Sequence, residues 1–296
     1  MQHGLFLNHT EKLYYPLKTN ISSLPHYSPF RYPGGKTWLI PIFRKWVRSL
    51  SKRPSLLIEP FAGSGVISLT ALFEHLVDRV IMVEIDEEVS AVWLSILNGG
   101  ASLLSDRILK FNPSYDEVRK ELTKPAEDIH DKAFKTILKN RVVHGGILAK
   151  GAGLMRLGEK RRGVASRWYP KTLVQRIEAI TQIAHLLEFR QDDGMKVMLD
   201  FMDDSNVIFF IDPPYTLGKE CHGKRLYNHH DIDHRLLLER CALLKGDFIA
   251  TYNNDEEVKK IIANYRLDMR ILPMQGRLGI TRYELLIGKN LTWLDQ

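Results

Sequence analysis

The stretch Val207-Ile208-Phe209-Phe210-Ile211, followed by Asp212-Pro213-Pro214-Tyr215, constrains this chain more than any other. Five apolar residues without alternation predict a strand covered on both faces, because a half-exposed strand would alternate with polar residues. Proline lacks an N–H and fixes its own φ, so the chain must leave the sheet there in a stiff, extended turn. A strand buried on both sides belongs in an open α/β sheet, where ligands bind at the carboxyl ends of the strands. The turn then holds a carboxylate, a free carbonyl and an aromatic face in a fixed array. Such an array suits a planar base with an exocyclic amine: Asp212 and the Pro213 carbonyl each accept one N–H, and Tyr215 stacks on the ring. Alone, the four residues also fit an ordinary Pro-Pro turn, so the rest of the chain must supply context.

A second strand-and-turn unit lies upstream. Ser55 to Glu59 reads as a short strand, followed by Pro60-Phe61-Ala62-Gly63-Ser64-Gly65 and an apolar helix from Val66 to about Val77. Strand, glycine turn and helix open a nucleotide-binding unit. Ser68 stands where the third glycine of a dinucleotide fingerprint would be, which argues for a ligand needing close backbone approach without a pyrophosphate. Arg79 to Glu84 predicts the next strand, ending in Glu84-Ile85-Asp86. An acid there, about 20 residues beyond the glycines, is placed to accept hydrogen bonds from both hydroxyls of a ribose. Before these units, Arg31-Tyr32-Pro33-Gly34-Gly35-Lys36 precedes an amphipathic helix carrying Trp38, Leu39, Ile42, Phe43, Trp46 and Val47. A Gly-Gly turn opening a helix lets backbone N–H groups approach an anion closely, although a plain loop fits these residues equally.

The alternation of strands and helices breaks between about 100 and 190. Helical patterns over Tyr115–Leu122, Ile129–Val143 and Thr172–Leu187 flank a stretch from Gly145 to Tyr169 rich in Gly and Arg. Lys150, Arg156, Lys160, Arg161, Arg162, Arg167, Lys171 and Arg176 face a single acid, Glu159. That composition suits a loop or hairpin that orders on phosphates, or else a solvated surface loop. We expect three parts: a loose leader over 1–28, a catalytic domain over 29–99 and 191–296, and an inserted recognition domain over 100–190. After the insert, Val197-Met198-Leu199 predicts a strand leading into Asp200-Phe201. The stretch from Tyr215 to Asp231, with Lys219, Lys224 and Arg225, reads as an active-site loop. A helix near 232–244, a strand over 247–252, a helix over 255–263 and two antiparallel closing strands near 266–272 and 280–287 finish the chain.

Charge and cysteine usage fit an intracellular partner of polyanions. Lys plus Arg number 42 against 35 Asp plus Glu, a net charge of +7, which favours such a partner without requiring one. Two cysteines in 296 residues build no disulfide framework, and a reducing cytoplasm is the expected compartment. No apolar run reaches membrane-spanning length, so no membrane partner is expected.

Together these elements resemble the Dam-like (D12) class of DNA adenine-N6 methyltransferases. The segment Arg31 to Lys36, the turn Glu59-Pro60-Phe61-x-Gly63-x-Gly65, Glu84, the Asp200-Phe201 pair and Asp212 to Tyr215 follow the family's order at similar separations. The resemblance spans about residues 29 to 287 and implies a class I methyltransferase fold, doubly wound around a seven-stranded mixed sheet, with an inserted, mainly helical DNA-recognition domain carrying a basic hairpin or loop. It implies S-adenosylmethionine as cofactor. Tyr32, Pro33, Gly34, Gly35 and Lys36, with Glu59, Phe61, Ala62, Gly63, Ser64 and Gly65, would surround its methionine part. Glu84 and Asp86 would lie at the ribose, Ile85 against the adenine, and Asp200 and Phe201 at the adenine's edge, with Asp212 between cofactor and target. Asp212, Pro213, Pro214 and Tyr215 would receive a flipped-out target adenine. Double-stranded DNA is the implied partner, contacted by Arg31, Lys36, Asn140, Arg141, the basic block from Lys150 to Arg167, and Lys219, Lys224 and Arg225. A restriction endonuclease acting on the same site is a further partner the family admits; a monomer or weak dimer is expected.

Other chemistries fit less well. A cytosine-C5 enzyme needs a nucleophilic cysteine, usually after proline, whereas Glu220 precedes Cys221 and Arg240 precedes Cys241. Cytosine-N4 enzymes more often carry Ser, and RNA or protein amide methylases Asn, where Asp212 stands. A non-catalytic nucleic-acid binder on the same fold would not need Asp212, Glu84, Gly63 and Gly65 together. Cys221, His222, His229, His230 and His234 match no standard zinc spacing, and no metal is expected.

Overall fold

The structure is a computed structural model that describes residues 14, 24–31, 35–149, 151–215, 232–275 and 281–296. Of the residues named above, Tyr32, Pro33, Gly34, Lys150, Lys219, Glu220, Cys221, His222, Lys224, Arg225, His229, His230 and Asp231 lie outside them, with most of the expected leader.

Strand β4 (Val207–Ile211) is buried at every position. Side chains alternate across a strand: Ile208 and Phe210 enter the core on one face of the sheet, and Val207, Phe209 and Ile211 enter the core on the other. The same alternation sorts β1 (Leu56–Glu59) and β2 (Arg79–Val83), where Leu57, Val80 and Met82 oppose Ile58, Ile81 and Val83. An uninterrupted apolar run is therefore what an interior strand of this sheet requires.

Seven strands form one sheet in the order β3-β2-β1-β4-β5-β7-β6, with β3 at Leu187–Arg190, β5 at Asp247–Asn253, β6 at Asp268–Gln275 and β7 at Thr281–Gly288. The first five are mutually parallel, while β7 runs antiparallel to both β5 and β6. This is the doubly wound mixed sheet expected from the sequence. The chain runs outward from β1 to β3, then returns to place β4 on the other side of β1. That reversal opens a crevice at the carboxyl ends of β1 and β4, where Glu59 and Asp212 stand.

On one face lie α1 (Ile40–Ser49), α2 (Val66–Phe73), α3 (Glu87–Ser95) and the helices of the 100–190 region: α4 (Ala101–Lys110), α5 (Tyr115–Thr123), α6 (Ile129–Val142) and α7 (Pro170–Gln182). These last four share one continuous core with the sheet. Phe111, Phe134 and Trp168 meet edge to face there, with ring centroids 5.3 to 6.3 Å apart, and each such pair adds about 0.5–1.5 kcal/mol beyond its buried area. Asn140 staples the region to the N-terminal segment. Its Oδ1 accepts from the Arg31 N–H at 2.8 Å, and its Nδ2 donates to the Arg31 carbonyl at 2.8 Å and to that of Gly146 at 2.9 Å. An antiparallel bridge, Val143 to Leu154, sits where the basic hairpin was expected.

The predicted strand at 197–199 is instead helix α8 (Gly194–Asp200). Asp193 caps it by accepting the Met195 N–H at 2.8 Å, and Met195, Val197 and Met198 pack under the sheet. The strand missing from that reading is β3, which the apolar period of the preceding helix conceals, so the sheet takes the chain back at Leu187 rather than at 191. The same face carries α9 (His234–Leu243) and α10 (Glu256–Asn264).

Candidate active site

The crevice is lined by acids at consecutive strand ends. Glu59, at the end of β1, is buried; its Oε2 accepts the Ser68 N–H at 3.1 Å and the Ser68 hydroxyl. Burial pushes its pKa up to about 8, against the lowering effect of the Ser68 bonds. Glu84, just past β2, accepts from the Gly63 N–H at 3.0 Å and the Asp86 N–H at 2.9 Å, and burial raises its pKa to about 7. Between them runs the glycine turn. Gly65 has φ +60°, and a Cβ there would meet the Met82 sulfur and the Trp93 ring at 3.0 Å. Trp93 also donates from Nε1 to the Gly63 carbonyl at 3.0 Å. The turn is thus clamped by β2 and α3, and only glycine follows its path at Gly65. Ile85 lies beside Glu84 with 46% of its surface exposed, an apolar side chain open at a strand end. Asp86 instead caps α3, accepting the N–H groups of Glu88 and Val89.

Across the switch point stands Asp212. Its Oδ1 accepts from the Thr251 hydroxyl of β5 at 2.7 Å and from the Tyr215 hydroxyl at 3.0 Å, and it faces the Lys36 ammonium at 2.9 Å. Lys36 is itself buried, 3.7 Å from Glu284 of β7, and lies 5.2 Å from the centre of the Tyr215 ring. The Tyr215 ring stacks on Tyr252 at 5.9 Å, and Tyr252 meets His234 Nδ1 at 3.2 Å. Burial and the nearby charge of Asp212 hold the Tyr215 hydroxyl well above its ordinary pKa, so it keeps its proton and donates. Thr251, Tyr252, His234 and Glu284 were not foreseen. The β5 and β7 residues sit in strands whose pattern speaks only of burial, and no local motif marks them.

Asp200 and Phe201 fall at the far end of α8. A helix of 7 residues separates them from the turn after β3, and there the Asp200 carboxylate lies 3.5 Å from Arg190. The acids that follow β3 directly are Asp192 and Asp193. Gly194 presses this turn against the glycine-turn segment: a Cβ on it would fall 1.9 Å from the Pro60 carbonyl oxygen.

Among the predicted DNA-contacting residues, Arg156, Lys160, Arg161 and Arg162 are exposed. Asn140, Arg141 and Arg167 are buried instead, which takes them off the surface that a phosphate could reach. Arg141 donates to the Pro29 carbonyl, and burial lowers its pKa to about 9. Arg167 pairs with Glu159 at 2.5 Å, and Arg31 lies 3.6 Å from the same carboxylate. Cys241 is sealed in the core, its thiol pushed up by burial, so it is no nucleophile.

The sequence model of the D12 class of N6 adenine-specific DNA methyltransferases matches residues 32–275. This chain belongs to that family. The D12 chain is therefore a methyltransferase with the class I fold, and membership implies S-adenosylmethionine as its methyl donor. The clamped glycine turn, the acid at Glu84 and the open Ile85 fit such a donor. No curated protein matches the D12 chain. Solved structures similar to it include the rRNA methyltransferase aviRa from Streptomyces viridochromogenes, with 16% identity, coverage of 92% of this chain and 94% of that one, and a TM-score of 0.42. An rRNA methylase from Streptococcus thermophilus has 10% identity, coverage of 85% and 96%, and a TM-score of 0.33. At such distances neither speaks to substrate. Among the described residues, no helix is long and apolar enough to cross a membrane.

Proposed function

We propose that this D12 methyltransferase methylates the N6 amine of an adenine flipped out of duplex DNA. The observation that carries the reading is Asp212, fixed by Thr251 at the end of β4, across the switch point from the glycine turn and Glu84. S-adenosylmethionine, when bound, supplies an electrophilic methyl carbon on a sulfonium. Glu84 would accept its ribose hydroxyls, Ile85 would cover its adenine, and the turn from Phe61 to Gly65 would lie along its methionine part. Asp192, the first acid in the turn after β3, would serve in place of Asp200 as acceptor for the cofactor's adenine amine.

An amine conjugated to a purine is a poor nucleophile because its lone pair is delocalised into the ring. Asp212 and the Pro213 carbonyl would accept hydrogen bonds from its two N–H groups and favour a pyramidal nitrogen with its lone pair free. As the nitrogen takes the methyl from sulfur it becomes cationic and gives up one proton to water. Alignment and placed charge then supply most of the rate. The target amine is inaccessible within a stacked duplex, so the base must leave the helix. Tyr215, backed by Tyr252, would offer it a stacking surface. The exposed basic residues Arg156, Lys160, Arg161 and Arg162 would hold phosphates. Lys160 and Arg161 both have left-handed backbones, φ +52° and +58°, a conformation uncommon outside glycine.

The test is transfer of labelled methyl from S-adenosylmethionine to duplex DNA, followed by nucleoside analysis. We expect labelled 6-methyladenine, its loss in Asp212→Ala, and cofactor binding by calorimetry that survives the substitution. Label in RNA, in cytosine, or nowhere would overturn the reading.

A further inference from the structure

Glu284 enters the pocket from β7, opposite Asn253 in one neighbouring strand and Leu272 in the other. It is buried, and a buried carboxylate persists only with partners. Its partners are shared with Asp212. The Lys36 ammonium lies 2.9 Å from Asp212 Oδ1 and 3.7 Å from Glu284 Oε2. The Tyr215 hydroxyl lies 3.0 Å from the first of these oxygens and 3.4 Å from the second. Two carboxylates thus compete for one ammonium and one hydroxyl.

As they stand, these contacts obstruct the role given to Asp212. Its Oδ1 already receives Thr251, Tyr215 and Lys36, more donors than one oxygen's lone pairs accommodate well. An ammonium held there would also oppose the positive charge that grows on the target nitrogen during transfer. Both ease if Lys36 shifts toward Glu284, from which it now lies only 0.8 Å farther than from Asp212 (3.7 against 2.9 Å). Thr251, fixed on β5, would keep Asp212 in place meanwhile.

We infer that Glu284 is a second seat for the Lys36 ammonium, drawing its positive charge off Asp212 when the target amine arrives. The inference rests on the proposed role of Asp212. It makes Glu284 a positioning residue that acts through Lys36. No proton need change hands, because Lys36 carries its charge from one carboxylate to the other.

Glu284→Gln keeps the shape and removes the charge, leaving Lys36 on Asp212. Single-turnover methyl transfer should slow by roughly 10- to 100-fold, with the KM for DNA and the cofactor Kd changed less than about threefold. Glu284→Asp keeps the charge on a shorter stem and should be the faster of the two variants. A packing role would reverse that order, since Gln preserves the volume and Asp does not. In the Lys36→Met background, Glu284→Gln should cost little more, because the group it seats is gone. An active wild type with an unaffected Glu284→Gln, with Asp slower than Gln, or with multiplicative losses would overturn the inference alone. A wild type that methylates no adenine in any duplex would overturn it together with the function on which it rests.

Discussion

At the scale of single residues, the pocket sets two carboxylates to different tasks by their surroundings. Asp212 is held by donors, among them the Thr251 hydroxyl at 2.7 Å. Thr251→Val removes that bond at nearly constant volume, and we expect the methyl-transfer rate to fall about tenfold or more while cofactor affinity holds. Stopped-flow transfer and calorimetry on the same protein would check it. Glu59 is set by burial, which raises its pKa to about 8. The unfolded chain releases this proton near the ordinary 4.5, so between those values the folded state holds more protons than the unfolded one. The contribution of Glu59 to stability is then present at low pH and lost as pH rises through about 8. The loss is on the order of 2 to 4 kcal/mol. Denaturant titrations from about pH 5 to pH 8.5 should show this decline in the wild type and a flatter profile in Glu59→Gln; parallel profiles would contradict it.

At the scale of elements, the sequence announced what periodicity and turn chemistry govern. The apolar run of β4 and the glycines after β1 could be placed to within a residue or two, because each has a local cause. The helix α8 misled, since Val197-Met198-Leu199 is apolar and short, and such a run fits a strand or a buried helix equally. What decides is the Asp193 cap and the close approach of Gly194 to Pro60, and the second is a contact between segments far apart in the chain. The same misreading put Asp200 at the end of a strand, whereas it ends α8. Glu284 and Thr251 were illegible because their meaning comes from the order of strands, which brings β5 and β7 alongside β4. The Gly194 contact gives a direct test. A Cβ there would lie 1.9 Å from the Pro60 carbonyl oxygen, so Gly194→Ala must push α8 away from the glycine turn. We expect a loss of about 1–3 kcal/mol in stability and weaker cofactor binding in the protein that remains folded. Unchanged affinity would separate the turn after β3 from the cofactor.

At the scale of the whole molecule, the proposed function raises the question of how a basic protein would engage duplex DNA. The net charge of +7 is modest, and several cations of the insert are spent internally: Arg141 on Pro29, Arg176 on Ser28, and Arg167 on Glu159. The first two bonds join the N-terminal segment Ser28 to Arg31 to the 100–190 region, and Ser28 in turn donates to the Ser64 carbonyl of the glycine turn at 2.6 Å. One chain of contacts therefore links the 100–190 region to the glycine turn, so under the proposed function the buried arginines should act on geometry and the exposed ones on affinity for DNA. The two groups should separate experimentally. Replacing Lys160, Arg161 and Arg162 together by alanine should weaken binding to any duplex alike and reduce the slope of log K against log salt by about 2 to 3. The fold and the cofactor affinity should be untouched. Arg141→Ala should instead lower stability, since it leaves the Pro29 carbonyl without its buried donor, and should leave the salt slope of the folded fraction unchanged. Fluorescence anisotropy with two unrelated duplexes across a salt series would read both results. An unaltered slope in the triple variant would mean that DNA lies elsewhere on the molecule.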